Sequence, residues 1–557
     1  MTGSGERRAC ARMLKAILAA EAKGAVSSRC DIRPLGKVRV KLSRRSALRG
    51  TALGLLGPSA ALAQPAATVT RDIIDRHLPE LDSLAAGILR KTGVPGLSVA
   101  VVHRDRVVHL KGFGVRQVGR PEPVDPDTVF QLASLSKPIA STVVAALVGD
   151  GLVGWDDPIL RHDPAFAMRD AWVTRQVTLR DMFCHRSGLP EHAGDLLEDL
   201  GYDRAEILHR LRYVRPDSSF RSRYAYTNFG LTAAAVSAAR ASGRAWEDVS
   251  AERLYQPLGM VNTSSRFSDF LAAPNRAVSH VRQAGAWVAK YTRNPDAQSP
   301  AGGVSSSARD MASWLRLQLG RGTVDGREIV KAAPLDETHR PHMVSTPAEN
   351  PMLDRPAFYG LGWGVNYDEQ GRAHWSHSGA FSLGAATCVN LVPAEQVGIV
   401  ALTNAYPIGV PEAVCRSFLD LLLTGKIERD WLALFGQAFE KVTAPGYGAT
   451  ADYSAPPVPR SPQLPAAAYV GRYHSDLFGE LQIAGTDAGL VLKLGPKQDS
   501  FALHHFDRDV FTYQPAGENA YGPSAVTFVV GADRKAASVM IENLDINDQG
   551  SFSRRSD

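Results

Sequence analysis

At 557 residues the chain exceeds one ordinary domain and is long enough to bury a large core. Its formal charge is +6, but thirteen lysines and arginines against three acids precede Gln64, a net of +10 that leaves −4 for the remainder; the basic excess belongs to the N-terminal segment, and nothing in the body suggests a nucleic-acid surface. Five cysteines (Cys10, Cys30, Cys184, Cys388 and Cys415) at wide spacing exclude a disulfide framework and read as buried free thiols, with one pair among the last three still able to bridge after export.

The N-terminal segment reads as a leader. Ser43-Arg44-Arg45-Ser46-Ala47-Leu48-Arg49 resembles a twin-arginine export motif, with Ala47 where a bulky residue is usual. An apolar stretch from Thr51 to Ala61 follows, then Ala61-Leu62-Ala63, a small-residue cleavage pattern before Gln64. The stretch is too short and too glycine-rich to span a membrane. Residues 1–63 are therefore expected to form a twin-arginine-type signal peptide, which places the mature protein in the periplasm or outside the cell with no membrane span after cleavage. Met1 to Lys37 make an unusually long basic region, so translation is expected to begin nearer Val38.

The body, residues 64–441, opens with a helix over Asp72–Lys91 that tolerates Pro79, then strands at Leu97–His103 and Arg106–Lys111 joined at Arg104-Asp105. Ser134-Leu135-Ser136-Lys137 follows, ahead of the apolar helix pattern from Ile139 to Leu152. A helix that starts near Ser134 puts Ser134 and Lys137 one turn apart on one face, with the hydroxyl at the positive end of the helix dipole. Serine is a weak nucleophile until something takes its proton, and an amine one turn away can do so. Pro138 is tolerable in a first turn. Taken alone the motif is weak, since a solvated helix face explains most such matches.

From Ser134 to about His342 the patterns are mostly helical. Within that insert Tyr226-Thr227-Asn228 precedes another apolar helix pattern. A tyrosine held between a Pro/Ser-rich stretch and a helix start can point into a cleft and serve as general base if a nearby cation lowers its pKa; the plainer alternative has Tyr226 packing as a half-buried aromatic and Asn228 capping the helix. Strand patterns return from Tyr359 to Asn404, and a helix over Val410–Leu423 closes the domain. His377-Ser378-Gly379 is expected to begin an edge strand, with Gly379 allowing close backbone approach of an acyl group and the Ala380 N–H joining that of Ser134 in an oxyanion hole. A metal site at His374 and His377 is disfavoured, because that spacing on a strand points them to opposite faces without a carboxylate cluster. Asp310 and His185 read as structural.

Residues 442–465 are rich in Pro, Ala, Gly and Ser, a semi-rigid linker composition. Beyond it, in 466–557, YVGRY, GELQIAG, LVLKLG, VFTYQP, AVTFVVG and ASVMIENL alternate like short antiparallel strands. The whole is expected to be α+β: one antiparallel sheet built from distant pieces and flanked by helices, a helical subdomain inserted in it, and a small all-β barrel-like domain after it.

SLSK, YTN and HSG in this order, with VPGLSVAVVHRDRVVHLKGFG, VTLRDMFCHRSGLP, SPAGGVSSSARDMASWL and YGLGWGV between and around them, resemble the serine β-lactamase/penicillin-binding-protein superfamily, in particular its class C-like esterases and D-aminopeptidases, over roughly Asp72 to Leu423. The resemblance implies an exported serine hydrolase acting on small-molecule or short-peptide esters or amides, with Ser134 as nucleophile and Lys137 and Tyr226 sharing its proton. It further implies that Asn228 orients Lys137 or a substrate amide, that His377 positions the acyl group or tunes Tyr226, and that Ser378, Gly379 and Ala380 line the acyl site. No metal, organic cofactor or nucleic-acid partner is implied. His377 stands where β-lactamases and transpeptidases usually carry lysine, so the grip on a substrate carboxylate should be weaker and efficient β-lactam hydrolysis is not expected. D-stereospecific peptidase, cell-wall carboxypeptidase or weak β-lactamase activity and a non-catalytic penicillin- or wall-peptide-binding sensor are the alternatives. Barrels appended to such hydrolases contribute to assembly or roof the cleft, so a homo-oligomer is one expectation and a plain stability module the other.

Overall fold

The computed structural model describes residues 69–444, 446–448 and 451–555; the expected leader with its export and cleavage motifs, Cys10 and Cys30 lie outside the described residues. α1 (Arg71–Thr92) begins where the Thr70 side chain accepts from the Ile73 N–H and ends at Gly93, whose φ of 68° suits a residue without a Cβ. β1 (Gly96–His103) and β2 (Arg106–Gly114) form the first hairpin. The helical insert contains α2 (Ser136–Gly149), α3 (Asp195–Asp199), α4 (Asn228–Arg240) and α5 (Ala308–Leu319). The chain then returns to the sheet through β3 (Met343–Thr346), β4 (Ala357–Tyr359), β5 (Gly364–Tyr367), β6 (Ala373–Phe381), β7 (Ala385–Val392) and β8 (Val397–Thr403). The eight strands lie in the order β2-β1-β8-β7-β6-β5-β4-β3, antiparallel throughout.

Two helical layers cover this sheet, and the strands show it. Leu97, Val99 and Val101 of β1 and Val397, Ile399 and Ala401 of β8 pack on α1, α6 (Val410–Thr424) and α7 (Trp431–Val442). Ala100 and Val102, with Val400 and Leu402, face the helical insert instead. Both faces are buried, so the central strands are apolar at nearly every position rather than at alternate ones. α7 continues the domain past the helix with which it was expected to close. Among the described residues Cys184, Cys388 and Cys415 are buried and none is bridged to another.

Between Val442 and Pro465 the described residues form no regular element, and the segment is tied down by the Gly448 N–H to Glu542 (3.0 Å) and the Ser461 N–H to Asp507 (2.7 Å). The last domain has β9 (Gly471–Ser475), β10 (Gly479–Thr486), β11 (Gly489–Leu494), β12 (Asp499–Ala502), β13 (His504–Asp507), β14 (Val510–Tyr513), β15 (Ser524–Val530), β16 (Ala536–Ile541) and β17 (Ser551–Arg554). Their order, β12-β11-β10-β9-β17-β16-β15-β14-β13, is an antiparallel barrel one ladder short of closure; its two end strands are joined through the single residue Leu503. The barrel docks on the helical insert: the Tyr202 hydroxyl donates to the Phe478 carbonyl (3.0 Å) and Arg210 to that of Asp476 (2.9 Å). No helix among the described residues is long and apolar enough to cross a membrane.

Candidate active site

Ser134 sits in a tight 3-10 turn, Ala133–Leu135, immediately before α2, so the helix proper begins two residues later than its sequence pattern suggests. The turn is strained and clamped. Ala133 has a φ of 49°, unusual for a residue with a Cβ. The Ser136 hydroxyl donates to the Ala133 carbonyl (2.7 Å) and accepts from the Val304 N–H (2.9 Å), while the Thr387 hydroxyl of β7 donates to the Leu132 carbonyl (2.7 Å). Because side chains three apart nearly eclipse in a 3-10 turn, Lys137 Nζ comes to 3.0 Å from Ser134 Oγ.

Lys137 is fully buried, and its other two neighbours are the Asn228 side-chain carbonyl (2.6 Å) and the Ala301 backbone carbonyl (3.0 Å). Burial drives its pKa from 10.5 down to about 7, with Asp195 opposing that shift and Arg293 adding to it. A neutral amine gives its two N–H groups to the two carbonyls and keeps its lone pair for the Ser134 hydroxyl proton. Asn228 is the first residue of α4 and makes no cap; its amide is oriented by Asp195, which accepts from Nδ2 at 2.8 Å.

The Tyr226 phenol is buried and hydrogen-bonded to Ser134, with Lys137 Nζ 4.5 Å from its ring centre. Burial raises its pKa above the ordinary tyrosine range, and the bond to Ser134 offsets this only in part. The expectation that a neighbouring cation would lower it is therefore corrected: desolvation wins, so the Tyr226 phenol rests protonated. His185 packs against the Tyr226 ring (4.6 Å between centroids) and accepts from the Thr227 N–H at 3.2 Å, which fixes the tyrosine from behind.

β6 is not the edge strand anticipated, since β7 and β5 flank it, and the HSG motif falls in its second half rather than at its start. β5 leaves the ladder at Ser376, however, so His377 to Phe381 are paired on one side only. Gly379 is pressed onto the Ser134 turn: a Cβ there would lie 2.2 Å from the Leu132 carbonyl oxygen and 3.0 Å from the Ser134 nitrogen. Ser378 and Ala380 line the cleft beside Ser134. His377 is brought near but not into it; its Nε2 meets the Tyr359 hydroxyl (2.9 Å) and its Nδ1 the Ser378 carbonyl (2.7 Å). Burial, then Lys137, lowers its pKa to about 3, so it is a neutral ring. His374 faces Asp368 instead (3.3 Å), and no group of three or more potential metal ligands occurs among the described residues. Asp310 holds the Asn262 N–H (2.7 Å) and the Thr263 hydroxyl (2.8 Å) together.

The cleft encloses about 960 Å³ that includes open solvent, and one of its walls comes from the barrel. Glu518, Asn519 and Tyr521, between β14 and β15, reach it. Asp199 of α3 accepts from the Glu518 N–H (2.8 Å) and the Asn519 N–H (3.0 Å). Glu518 in turn accepts from the Ser382 N–H and pairs with Arg293 (2.7 Å), which also pairs with Glu198 (2.8 Å). Asp195, Arg293 and Glu518 were not singled out from the sequence. Each sits in a polar run that reads as solvated surface, and no local spacing marks its distant partner.

The family model described as Beta-lactamase matches residues 81–423, and one described as a domain of unknown function (DUF3471) matches 455–553. Among curated proteins the chain is similar to the unguisins hydrolase ungD' of Aspergillus campestris, 27% identical over 58% of this chain and 62% of that one, so it spans under two thirds of that relative. It is similar to penicillin-binding protein 4 of Amycolatopsis lactamdurans, 29% identical over 56% of this chain and 81% of the relative, and to the unguisins hydrolase ungD of Aspergillus violaceofuscus, 23% identical over 79% and 84%. The octameric penicillin-binding protein homologue from Pyrococcus abyssi superposes with a TM-score of 0.56 at 18% identity, over 85% of this chain and 99% of that one.

Proposed function

Because the chain belongs to the beta-lactamase family, we infer that it is a serine hydrolase working through an acyl-enzyme on Ser134. The observation that carries this reading is the convergence of Lys137 Nζ (3.0 Å) and the Tyr226 phenol on the Ser134 hydroxyl. Ser134 Oγ attacks a carbonyl as its proton passes to neutral Lys137, and the N–H groups of Ser134 and Ala380 take the oxyanion, each worth ~3–4 kcal/mol. Tyr226 hands its proton to the leaving group and is refilled from Lys137. The water that later releases the acyl group returns its proton by the same route.

The substrate class is a small ester or amide, including D-aminoacyl peptides, met after export to the periplasm or beyond. A neutral His377 provides no fixed charge for a substrate carboxylate, and Arg293 already serves Glu198 and Glu518. This favours esterase or aminopeptidase-type substrates over carboxypeptidase-type peptides and β-lactams, a preference that a kcat/KM panel of acyl esters, D-aminoacyl amides and β-lactams measures. The nucleophile is tested by fluorophosphonate labelling and peptide mapping: the label is expected on Ser134, and Ser134→Ala is expected to lose ~10³-fold or more of ester turnover. Turnover at the parental rate in Ser134→Ala removes the reading, and single acylation without turnover in the parent makes the protein a sensor instead.

A further inference from the structure

Asp195 lies outside all three motifs yet stands one amide away from the base. Gly194, at φ 97°, lets the start of α3 press against the first turn of α4, where a Cβ would come within 2.8 Å of the Phe229 ring. That approach brings Asp195 Oδ2 to 2.8 Å from Asn228 Nδ2 and 2.7 Å from His192 Nδ1. Asp195 is 6% exposed, and its Oδ1 is buried with no hydrogen-bond partner among the described residues. A buried carboxylate with half its capacity unused is costly unless its charge serves something nearby.

A carboxylate only accepts hydrogen bonds, so Asn228 must turn Nδ2 toward Asp195 and its carbonyl oxygen toward Lys137. We propose that Asp195 is the positioning residue of the base: it holds the Asn228 amide in the one orientation that Lys137 can use, and its buried charge balances the ammonium formed when Lys137 takes the Ser134 proton. The proposal rests on the reading of Ser134 and Lys137 as nucleophile and base. An asparagine at 195 would lose both properties, because its own amide can donate to Asn228 and let that side chain flip.

The charged and titratable groups around Lys137 are Asp195 and Glu198 on α3, His192 just before it, Tyr226 before α4, His185, Arg293 and His377. Burial keeps His185 and His377 neutral and Tyr226 protonated, and Arg293 stays charged. Glu198, raised to about 7 by burial, changes charge in the same range as Lys137, so each variant is also made in a Glu198→Gln background.

The test is the second-order rate at which a fluorophosphonate labels Ser134 between about pH 5 and pH 9. In that step an Oγ–P bond forms, the P–F bond breaks, fluoride leaves and the seryl proton goes to Lys137. The full-length parent is expected to label faster as pH rises through the Lys137 transition. Asp195→Asn, with unchanged circular dichroism, is expected to label at least tenfold more slowly, with the midpoint moved about half a pH unit or more to lower pH because the charged lysine has lost its counter-charge. The same displacement is expected in the Glu198→Gln background. A rate within twofold of the parent, or an unmoved midpoint, overturns the proposal.

If Asp195→Asn does not fold, Asp195→Glu carries the test, since it keeps the charge and misplaces the oxygen. A rate loss of at least fivefold at the parental midpoint supports positioning; a parental rate or a displaced midpoint overturns it. Absence of label on Ser134 in the parent removes this inference together with the reading beneath it, whereas a labelled parent with an unaffected variant removes this inference alone.

Discussion

A buried lysine is an expensive residue, and at position 137 the expense has a use. The unfolded lysine keeps its proton up to 10.5 and the folded one only to about 7. Between those values the unfolded chain binds more protons, so this group's contribution to stability rises with pH across that window and is a penalty below it. The same depression predicts the activity profile: kcat/KM for a neutral ester is expected to climb as pH passes about 7 and to fall about tenfold per pH unit well below it, in a pH–rate series at constant ionic strength. Tyr226→Phe is expected to lose ~10²-fold or more in kcat with the midpoint of that climb unmoved, because the phenol does not titrate there. The convergence of Ser134, Lys137, Tyr226 and Asn228 was legible because the chemistry proposed for them depends on residue type, short spacing and order. The protonation pattern was not, since it follows from burial that only packing creates.

Elements were legible where pattern and length agreed. α1, the β1–β2 hairpin and the apolar α2 are all evident, the last because its residues are buried on almost every side. β12, β13 and β17 were not anticipated: at four residues each, with sequences such as DSFA and SFSR, they carry too little alternation to stand out. The role of β6 was misread for a related reason, as strand order depends on ladders between distant segments. Gly379 is where that ladder meets the Ser134 turn. Gly379→Ala would place a methyl 2.2 Å from the Leu132 oxygen, so β6 must back away from the Ser134 turn. We expect kcat to fall ~10²–10³-fold through a widened oxyanion site, and stability to drop by about 1–3 kcal/mol, checked by ester kinetics and thermal melting.

At the scale of the whole molecule, the barrel is part of the cleft. Its strands were readable as a β domain, but its place as a wall rests on Asp199 and Arg293 meeting Glu518 from segments more than 200 residues away from it, which no periodicity encodes. Glu518→Ala removes one of the two carboxylates on a buried arginine and a bond to the Ser382 N–H. It is expected to cost about 2–4 kcal/mol in denaturant unfolding and to raise KM more than it lowers kcat, because the wall it supports lines the cleft without bonding to Ser134 or Lys137. The loop carrying Glu518 also has a consequence in time. The Ser134 turn has all its clamps once Thr387 has left the ribosome, about 130 residues before that loop does, and domains fold largely as they emerge. A nascent chain can thus hold a formed Ser134 turn in a groove that still lacks its barrel wall.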